Sequence, residues 1–177
     1  MNKSLNYRFL IIIIKKAFII ALVLCYNSHA QSNEQQIENL IAEYNQENQL
    51  NRQWFHKHAE LSNREFLTSE RIVQKLKEIG LRPQKGVAKT GVVAILNENK
   101  PGPVVALRAD IDGLPVKERN DLPWASKMIG EYNGEEVPVM HACGHDIHIA
   151  ILLGTAKILT EIKDEINGSV KFIFQPA

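Results

Sequence analysis

Three histidines, a cysteine and an aspartate lie within the nine residues from Met140 to His148, just before a long apolar segment. Thiolate sulfur and imidazole nitrogen are the ligands that zinc and neighbouring divalent transition metals prefer, whereas calcium and magnesium prefer oxygen. Only Gly144 separates Cys143 from His145, and glycine tolerates backbone geometries that let two nearby side chains turn towards one ion. The pattern therefore predicts a metal site with Cys143 and His145 as ligands. A buried cysteine beside helix-capping histidines is the alternative.

Three further polar residues are candidates for supporting this site. His141 and His148 are candidates for contacting a substrate or for holding a ligand in place, and an ordinary helix-surface histidine is the alternative for His148. Asp110 ends an apolar run, and a carboxylate there can orient a metal-binding imidazole. Capping of a loop is its alternative role. The sequence offers no general base and too few ligands to complete the site.

The helical segments that surround these residues follow from the spacing of apolar side chains. Residues 33–60 are mostly polar and predict one or two surface helices, with His56 and His58 as surface histidines at the end. Residues 68–80 have an apolar stripe, which predicts an amphipathic helix capped at its start by Thr68 or Ser69 and ended by Gly80.

The third predicted helix runs from about His145 to Ile166. Its first half is apolar on nearly every side, which predicts that it is buried. The residues before it, 113–139, are rich in glycine and proline and predict a long irregular loop.

Three apolar runs of strand length, at 92–96, 104–107 and 170–174, predict a sheet with helices on both faces. The short connection between the first two is rich in Asn, Pro and Gly and favours an antiparallel hairpin. The order strand, loop, helix, strand predicts a parallel crossover. Ligands bind such sheets beyond the carboxyl ends of the strands, where Asp110 lies. The predicted fold class is α/β, with a mixed, largely parallel sheet covered by helices.

Residues 1–30 have the pattern of an export signal. They contain four basic residues and no acidic one, followed by an apolar run from Ala17 to Cys25. In Ser28-His29-Ala30, small residues then occupy the two positions that a signal peptidase recognises. Cleavage after Ala30 predicts an exported protein, periplasmic or secreted. An uncleaved anchor and a lipid-modified Cys25 are weaker alternatives, and no apolar run reaches the roughly 20 residues that a membrane span needs.

The remaining residues, 31–177, have 17 basic against 20 acidic side chains, which does not favour binding to nucleic acid. Their number and the apolar content of the chain are those of about one globular domain. Cys143 is their only cysteine, so an internal disulfide cannot form. A lone thiol in an oxidising compartment favours burial or metal ligation.

Four motifs follow one another along the chain, at Ala106 to Pro115, Met140 to His148, Leu152 to Lys157 and Phe172 to Ala177. Together with His56 to Ser62, Thr68 and Thr90 to Val92, they resemble the motifs of the two-metal aminoacylase and carboxypeptidase family in order and spacing. The similarity is to the branch of hippurate hydrolases, N-acyl-amino-acid amidohydrolases and auxin-conjugate hydrolases, and it covers nearly all of residues 50–177.

The resemblance implies a zinc-peptidase-like catalytic domain that holds two divalent ions, manganese or zinc, with cobalt or nickel as alternatives. Cys143 and His145 are then metal ligands, and Asp110 is the catalytic carboxylate that supports the metal site. Family members hydrolyse the amide between an acyl group and an amino acid, where the ions activate water and stabilise the oxyanion. A glutamate accepts the proton from that water.

In the family, that glutamate and a further ligating one directly follow the triplet that here is Gln175-Pro176-Ala177. Residues 31–177 are therefore expected to be the N-terminal portion of the catalytic domain, truncated after the third recognisable strand and inactive alone. Departures from the family pattern are Ala59, where proline is usual, and Ile147 and Ile149, where small or hydroxylated residues are common.

The predicted function is that of an exported metal-dependent amidohydrolase acting on small N-acyl amino acids or peptides, with a homodimer as the full-length form. A dipeptidase or carboxypeptidase of the same family is one alternative. A non-catalytic remnant that binds metal weakly is another. A hydrolase with Cys143 as nucleophile is disfavoured, because no base and oxyanion arrangement is evident beyond the neighbouring histidines.

Overall fold

The computed structural model of the chain describes residues 3–176, without the side chains of residues 3–11 and 21–32. It divides into two compact units, Met1–Ala42 and Glu43–Ala177. Within residues 3–176, three helices and six strands follow one another: α1 Lys3–Lys57, α2 Phe66–Glu78, β1 Gln84–Val87, β2 Gly91–Leu96, β3 Val104–Asp110, β4 Met128–Tyr132, β5 Glu135–Val139, α3 His145–Glu161 and β6 Ser169–Gln175.

The predicted helix at residues 33–60 is confirmed as the second part of α1, which ends at Lys57. The predicted signal segment, residues 1–30, falls in the first part of α1 and begins outside the described residues. The side chains around the predicted cleavage site at Ala30 are also outside them, so cleavage and export remain predictions. Within residues 3–176, none of the helices combines the length and the apolar character that crossing a membrane requires.

A four-stranded sheet with the order β1-β2-β6-β3 forms the centre of the second unit. The strand β6 pairs antiparallel with β2 and parallel with β3, which confirms the predicted parallel crossover and the mixed α/β class. The predicted hairpin between residues 92–96 and 104–107 is wrong, because β6 lies between those two strands. Strands separated by one neighbour are roughly 10 Å apart, a distance that the connection 97–103 easily spans.

The core lies between one face of this sheet and the helices. Phe172 of β6 and Ile149 of α3 are fully buried there, together with Phe55 of α1. The predicted burial of the first half of α3 holds for one side of the helix only, since Ile147 and Ile151 are exposed.

Two strand predictions need correction. The expectation that helices cover both faces does not hold for β3, whose Val104 and Val105 are exposed. The strand β1, residues 84–87, was not predicted, because its sequence is polar and most of its residues are exposed.

The start of α2 is capped differently from the prediction. Thr68 and Ser69 lie inside the helix and are fully buried. The carboxylate of Glu60 instead accepts hydrogen bonds from the backbone N–H groups of Leu67 and Thr68, at 3.1 and 2.7 Å. An anion at this position satisfies first-turn donors and interacts favourably with the helix dipole. The predicted end is confirmed, since Gly80 follows the helix with a φ of 83°.

The predicted irregular loop at residues 113–139 is wrong in its second half, where β4 and β5 form an antiparallel hairpin. Asn133 and Gly134 join them, both with positive φ. An Asn-Gly pair is the preferred sequence for a two-residue hairpin turn. This signal is present in the sequence, but the prolines and glycines around it favour the prediction of an irregular loop.

Gly168 gives a test of how the two parallel strands are joined at their starts. It has a φ of 99°, and an added Cβ would overlap the carbonyl oxygen of Pro103. Gly134 has a similar φ of 82° but open space around its Cβ position. We expect Gly134→Ala to lower the free energy of unfolding by about 1–2 kcal/mol, the cost of a left-handed residue. Gly168→Ala should cost distinctly more in urea denaturation, and equal losses would show that Pro103 moves freely.

Candidate metal centre

Three side chains with metal-binding atoms come together where β3 ends and α3 begins. Asp110 is the last residue of β3, and its Oδ2 lies 3.8 Å from Nε2 of His145 and 3.6 Å from Nδ1 of His148. One ligand atom from each of the three lies within 4.8 Å of the others. The candidate metal centre is therefore built at the carboxyl end of a parallel strand, as the sequence predicted.

The backbone around Gly144 brings the two histidines to this place. Gly144 precedes α3 with a φ of 80°, in the left-handed region that glycine adopts at low cost. His145 is the first residue of α3, and His148, three residues on, lies on the same face of the helix. Their rings stack with centroids 5.5 Å apart. The side chain of His148 is 51% exposed, so the centre is open to solvent.

Asp112 orients the ring of His145. The Nδ1 atom of His145 lies 2.9 Å from Oδ1 of Asp112 and 3.0 Å from the backbone oxygen of the same residue. With Nδ1 donating to these oxygens, the lone pair of Nε2 is directed towards Asp110. The sequence favoured Asp110 for this orienting role. The structure places it on Asp112, because the strand ends at Asp110 and Asp112 is buried against the helix start.

Asp110 also pairs with a cation. The guanidinium group of Arg108 contacts both carboxylate oxygens of Asp110 and donates to the side chain of Gln175 at 3.2 Å. The carboxylate thus stands between one guanidinium group and two imidazoles. This arrangement suits a carboxylate that binds a metal ion.

Cys143 is exposed, so the alternative of a buried structural cysteine is wrong. Among the described residues, the group of ligand atoms within 4.8 Å of one another contains Asp110, His145 and His148, and does not contain Cys143. Ligation by Cys143 remains a prediction.

His141 is a buried imidazole beside the centre. It is 4% exposed, and neither of its ring nitrogens has a hydrogen-bond partner among the described residues. Burial lowers the pKa of His141 to about 4. The nearby His56 and His145 also lower this pKa, whereas Asp146 acts to raise it. The ring is therefore neutral at pH 7, with an unused lone pair.

His56 is the one candidate from the α1 segment whose prediction is overturned. It is 7% exposed rather than on the surface. Its Nδ1 lies 2.9 Å from Oδ2 of Asp146, and its Nε2 lies 2.8 Å from Oε1 of Glu118. Both partners are distant in sequence, so no local pattern could have revealed these contacts.

The donor set fits a divalent transition metal. Two imidazoles and one carboxylate are ligands that zinc and its neighbours accept, and three protein ligands with an open side are typical of a catalytic site. The buried, unpartnered imidazole of His141 adds a further donor nearby. The fixed Nδ1 contact of His145 is the arrangement expected for a ligating histidine.

Replacing Asp112 tests this arrangement. We expect Asp112→Asn to weaken Zn²⁺ binding by about 10–100-fold in calorimetric titration. The reason is that the carboxylate that fixes the imidazole ring of the ligand His145 is lost. Asp121→Asn is the matched control, since Asp121 is exposed on the loop that precedes β4. Equal zinc affinities for both variants would contradict the orienting role.

The mixed sheet, the crossover helix and the histidine and carboxylate donors are those of a domain that can hold a divalent metal ion. Residues 106–177 match the model of peptidase family M20/M25/M40. The family resemblance seen in the motifs is thereby confirmed.

Known proteins with similar sequences and structures agree with this assignment. The chain is 46% identical over 127 residues to thermostable carboxypeptidase 2 of Saccharolobus solfataricus, covering 71% of this chain and 30% of that protein. It is 41% identical over 144 residues to an N-acyl-L-amino acid amidohydrolase of Geobacillus stearothermophilus, covering 81% and 37%. The crystal structure of the YXEP protein of Bacillus subtilis, described as a dinuclear metal-binding peptidase of family M20, matches with a TM-score of 0.64 and 39% identity, covering 81% and 36%. The chain thus spans about a third of the length of these relatives.

Proposed function

We propose that the protein is an exported metal-dependent amidohydrolase that cleaves the amide bond between an acyl group and an amino acid. The observation that carries the proposal is the convergence of Asp110, His145 and His148 at the carboxyl end of β3. The similarity to an N-acyl-L-amino acid amidohydrolase supports the choice of substrate class. The similarity to a dinuclear peptidase supports a site for two ions, for which manganese or zinc is proposed.

Each residue of the centre has a proposed role. His145 and Cys143 are proposed ligands, Asp110 is the carboxylate that supports the metal site, and His148 joins the ligand set on the strength of its position. Asp112 holds the imidazole of His145 with Nε2 free. A divalent ion held by these residues would supply a water molecule of lowered pKa and a Lewis acid for the scissile carbonyl group.

A groove beside the centre supports an acyl substrate. It has a volume of about 360 Å³ and runs along α3 and β3, with Asp110 and His148 at one side and the apolar side chains of Leu107, Ile151 and Leu152 along its wall. Apolar walls next to a few polar groups are typical of small-molecule sites. We propose that the acyl chain lies along these apolar residues.

A carboxypeptidase is the second candidate, favoured by the 46% identity to thermostable carboxypeptidase 2. The experiment is to load the whole protein with Mn²⁺ or Zn²⁺ and compare kcat/KM for N-acyl amino acids with kcat/KM for N-blocked dipeptides. The amidohydrolase proposal expects higher values for N-acyl amino acids and loss of activity after chelation. Preference for dipeptides would favour the carboxypeptidase, and no metal-dependent turnover of either would refute both.

Export and dimerisation are also proposed for the whole protein. The basic and apolar pattern of residues 1–30 supports cleavage after Ala30, and N-terminal sequencing of the exported protein should then begin at Gln31. A retained N-terminus would refute cleavage. The family resemblance supports a homodimer, which light scattering of the whole protein would test.

A further inference from the structure

A row of alternating charges runs from α1 to the loop before β4. The Nε atom of Arg52 donates to Oδ2 of Asp146 at 2.9 Å, and the same oxygen lies 2.9 Å from Nδ1 of His56. The other ring nitrogen of His56 lies 2.8 Å from Oε1 of Glu118. The row therefore reads cation, anion, imidazole, anion.

These residues belong to three segments that are far apart in sequence. Arg52 and His56 lie in the last turns of α1, and Asp146 is the second residue of α3. Glu118 lies in the loop, which it also holds together by accepting hydrogen bonds from the backbone of Ser126 and from Asn120 Nδ2, the latter at 2.7 Å. His56 is the only described residue that contacts both carboxylates through hydrogen bonds.

Three of the four members of the row are buried, which makes their pairing important for the energy of the fold. The side chains of Asp146, Glu118 and His56 are 1%, 2% and 8% exposed. Removing one partner from such a group leaves a buried charge without compensation, which costs more than the pair itself contributes.

The charges facing His56 favour its protonated form. The hydrogen bond to Asp146, and then the one to Glu118, raise the pKa of His56 above its ordinary value, although burial acts against them. Arg52 and the neutral His141 are the other titratable groups close by. Because the folded-state pKa is raised, the stabilising contribution of this contact is complete below about pH 6.5 and is lost as the pH rises through the raised value.

We propose that His56 is a positioning residue for the metal centre, because it bridges Asp146 and Glu118 and thereby fixes the first turn of α3. Asp146 and His145 are consecutive residues, so any rotation of this turn moves the ring of His145 relative to Asp112 and Asp110. The expected effect on metal binding rests on the proposed metal function. The expected effect on the ring of His145 does not require a metal ion.

The test uses the 177-residue chain with His56→Gln, Glu118→Gln and the double variant. His58→Gln is the matched control, because the ring of His58 stacks on Trp54 and its Nδ1 contacts the Trp54 carbonyl oxygen at 2.7 Å rather than a carboxylate. Calorimetry gives the Co²⁺ affinity at a temperature where each variant is folded. Nitrogen NMR of the metal-free protein gives the tautomer of His145, which its hydrogen bonds determine.

We expect each of the two single variants to weaken Co²⁺ binding by about 10-fold or more, as loss of supporting contacts does in metal sites. The double variant should lose less than the sum of the two single losses, because both changes break one contact row. The His145 ring should shift from the Nδ1-protonated tautomer to a mixture, and His58→Gln should change neither quantity.

A lower melting temperature for His56→Gln with unchanged cobalt affinity and unchanged His145 tautomer would overturn the proposal, since the role would then be structural only. If His56→Gln does not fold, Glu118→Gln decides by the same two readouts. Absence of cobalt binding by the unmodified chain would instead refute the metal function, and the tautomer measurement would still decide the positioning role.

Discussion

We expect His145→Ala to lower the affinity of the protein for Co²⁺ by more than about 100-fold. This loss exceeds the one typical of residues that only support the ligands of a metal. His145 is the residue of the centre whose geometry is most fully determined. Asp112 fixes Nδ1, and the remaining nitrogen faces Asp110 at 3.8 Å. Removal of the ring leaves Asp110 and His148 as the described members of the group, which is too few for tight binding.

The measurement is calorimetric titration of the unmodified chain and of His145→Ala, with His58→Ala as the control. An affinity for His145→Ala within a few-fold of the unmodified chain would contradict the assignment.

The remaining predicted ligand, Cys143, is tested by comparing the absorption spectra of the cobalt-loaded unmodified protein and of cobalt-loaded Cys143→Ser. A sulfur-to-cobalt charge-transfer band that disappears in Cys143→Ser would confirm ligation by the thiolate, and absence of the band in the unmodified protein would refute it.

The chain of 177 residues is expected to show no turnover of N-acyl amino acids, even with added Mn²⁺ or Zn²⁺. Hydrolysis needs a general base within hydrogen-bond reach of the attacking water, and such a base contributes about 10²–10⁴-fold to the rate. The described carboxylates around the centre already have partners: Asp110 pairs with Arg108, Asp112 with His145, and Asp146 and Glu118 with His56.

A protein that continues beyond Ala177 with the two glutamates that the family resemblance implies is expected to gain metal-dependent amidase activity. The assay compares both proteins at equal metal loading, with His145→Ala in the longer protein as the control for contaminating hydrolases. Measurable metal-dependent turnover by the 177-residue chain would contradict this expectation. Equal activity of the longer protein and its His145→Ala variant would show that the activity lies elsewhere.

The residues of the predicted metal site could be identified from the sequence because the signals that mark them are local. Cys143, His145 and Asp110 stand out through residue type and their positions at the ends of apolar segments. The parallel pairing of β3 and β6 followed from the order of elements, and the structure confirms it. These inferences need only the spacing of residues that are near one another in the chain.

The contacts that the sequence did not reveal join residues far apart. His56 and Asp146 are 90 positions apart, and His145 and Asp112 are 33 apart. Whether Asp110 or Asp112 orients an imidazole depends on where the strand ends and how the chain then turns, which periodicity does not determine. The position of β6 between β2 and β3 likewise depends on pairing between strands that are far apart in the chain, which the length of the connecting turn does not reveal.

The exposure of β3 has a consequence for how the chain behaves at high concentration. Within the described sheet, β3 pairs only with β6, so one row of its backbone amide and carbonyl groups faces outward beside Val104 and Val105. A strand with such an open, apolar margin is a template on which a strand of another molecule can dock by β-augmentation. The same strand carries Asp110 at its far end, so a strand paired along this margin would run beside the candidate metal centre.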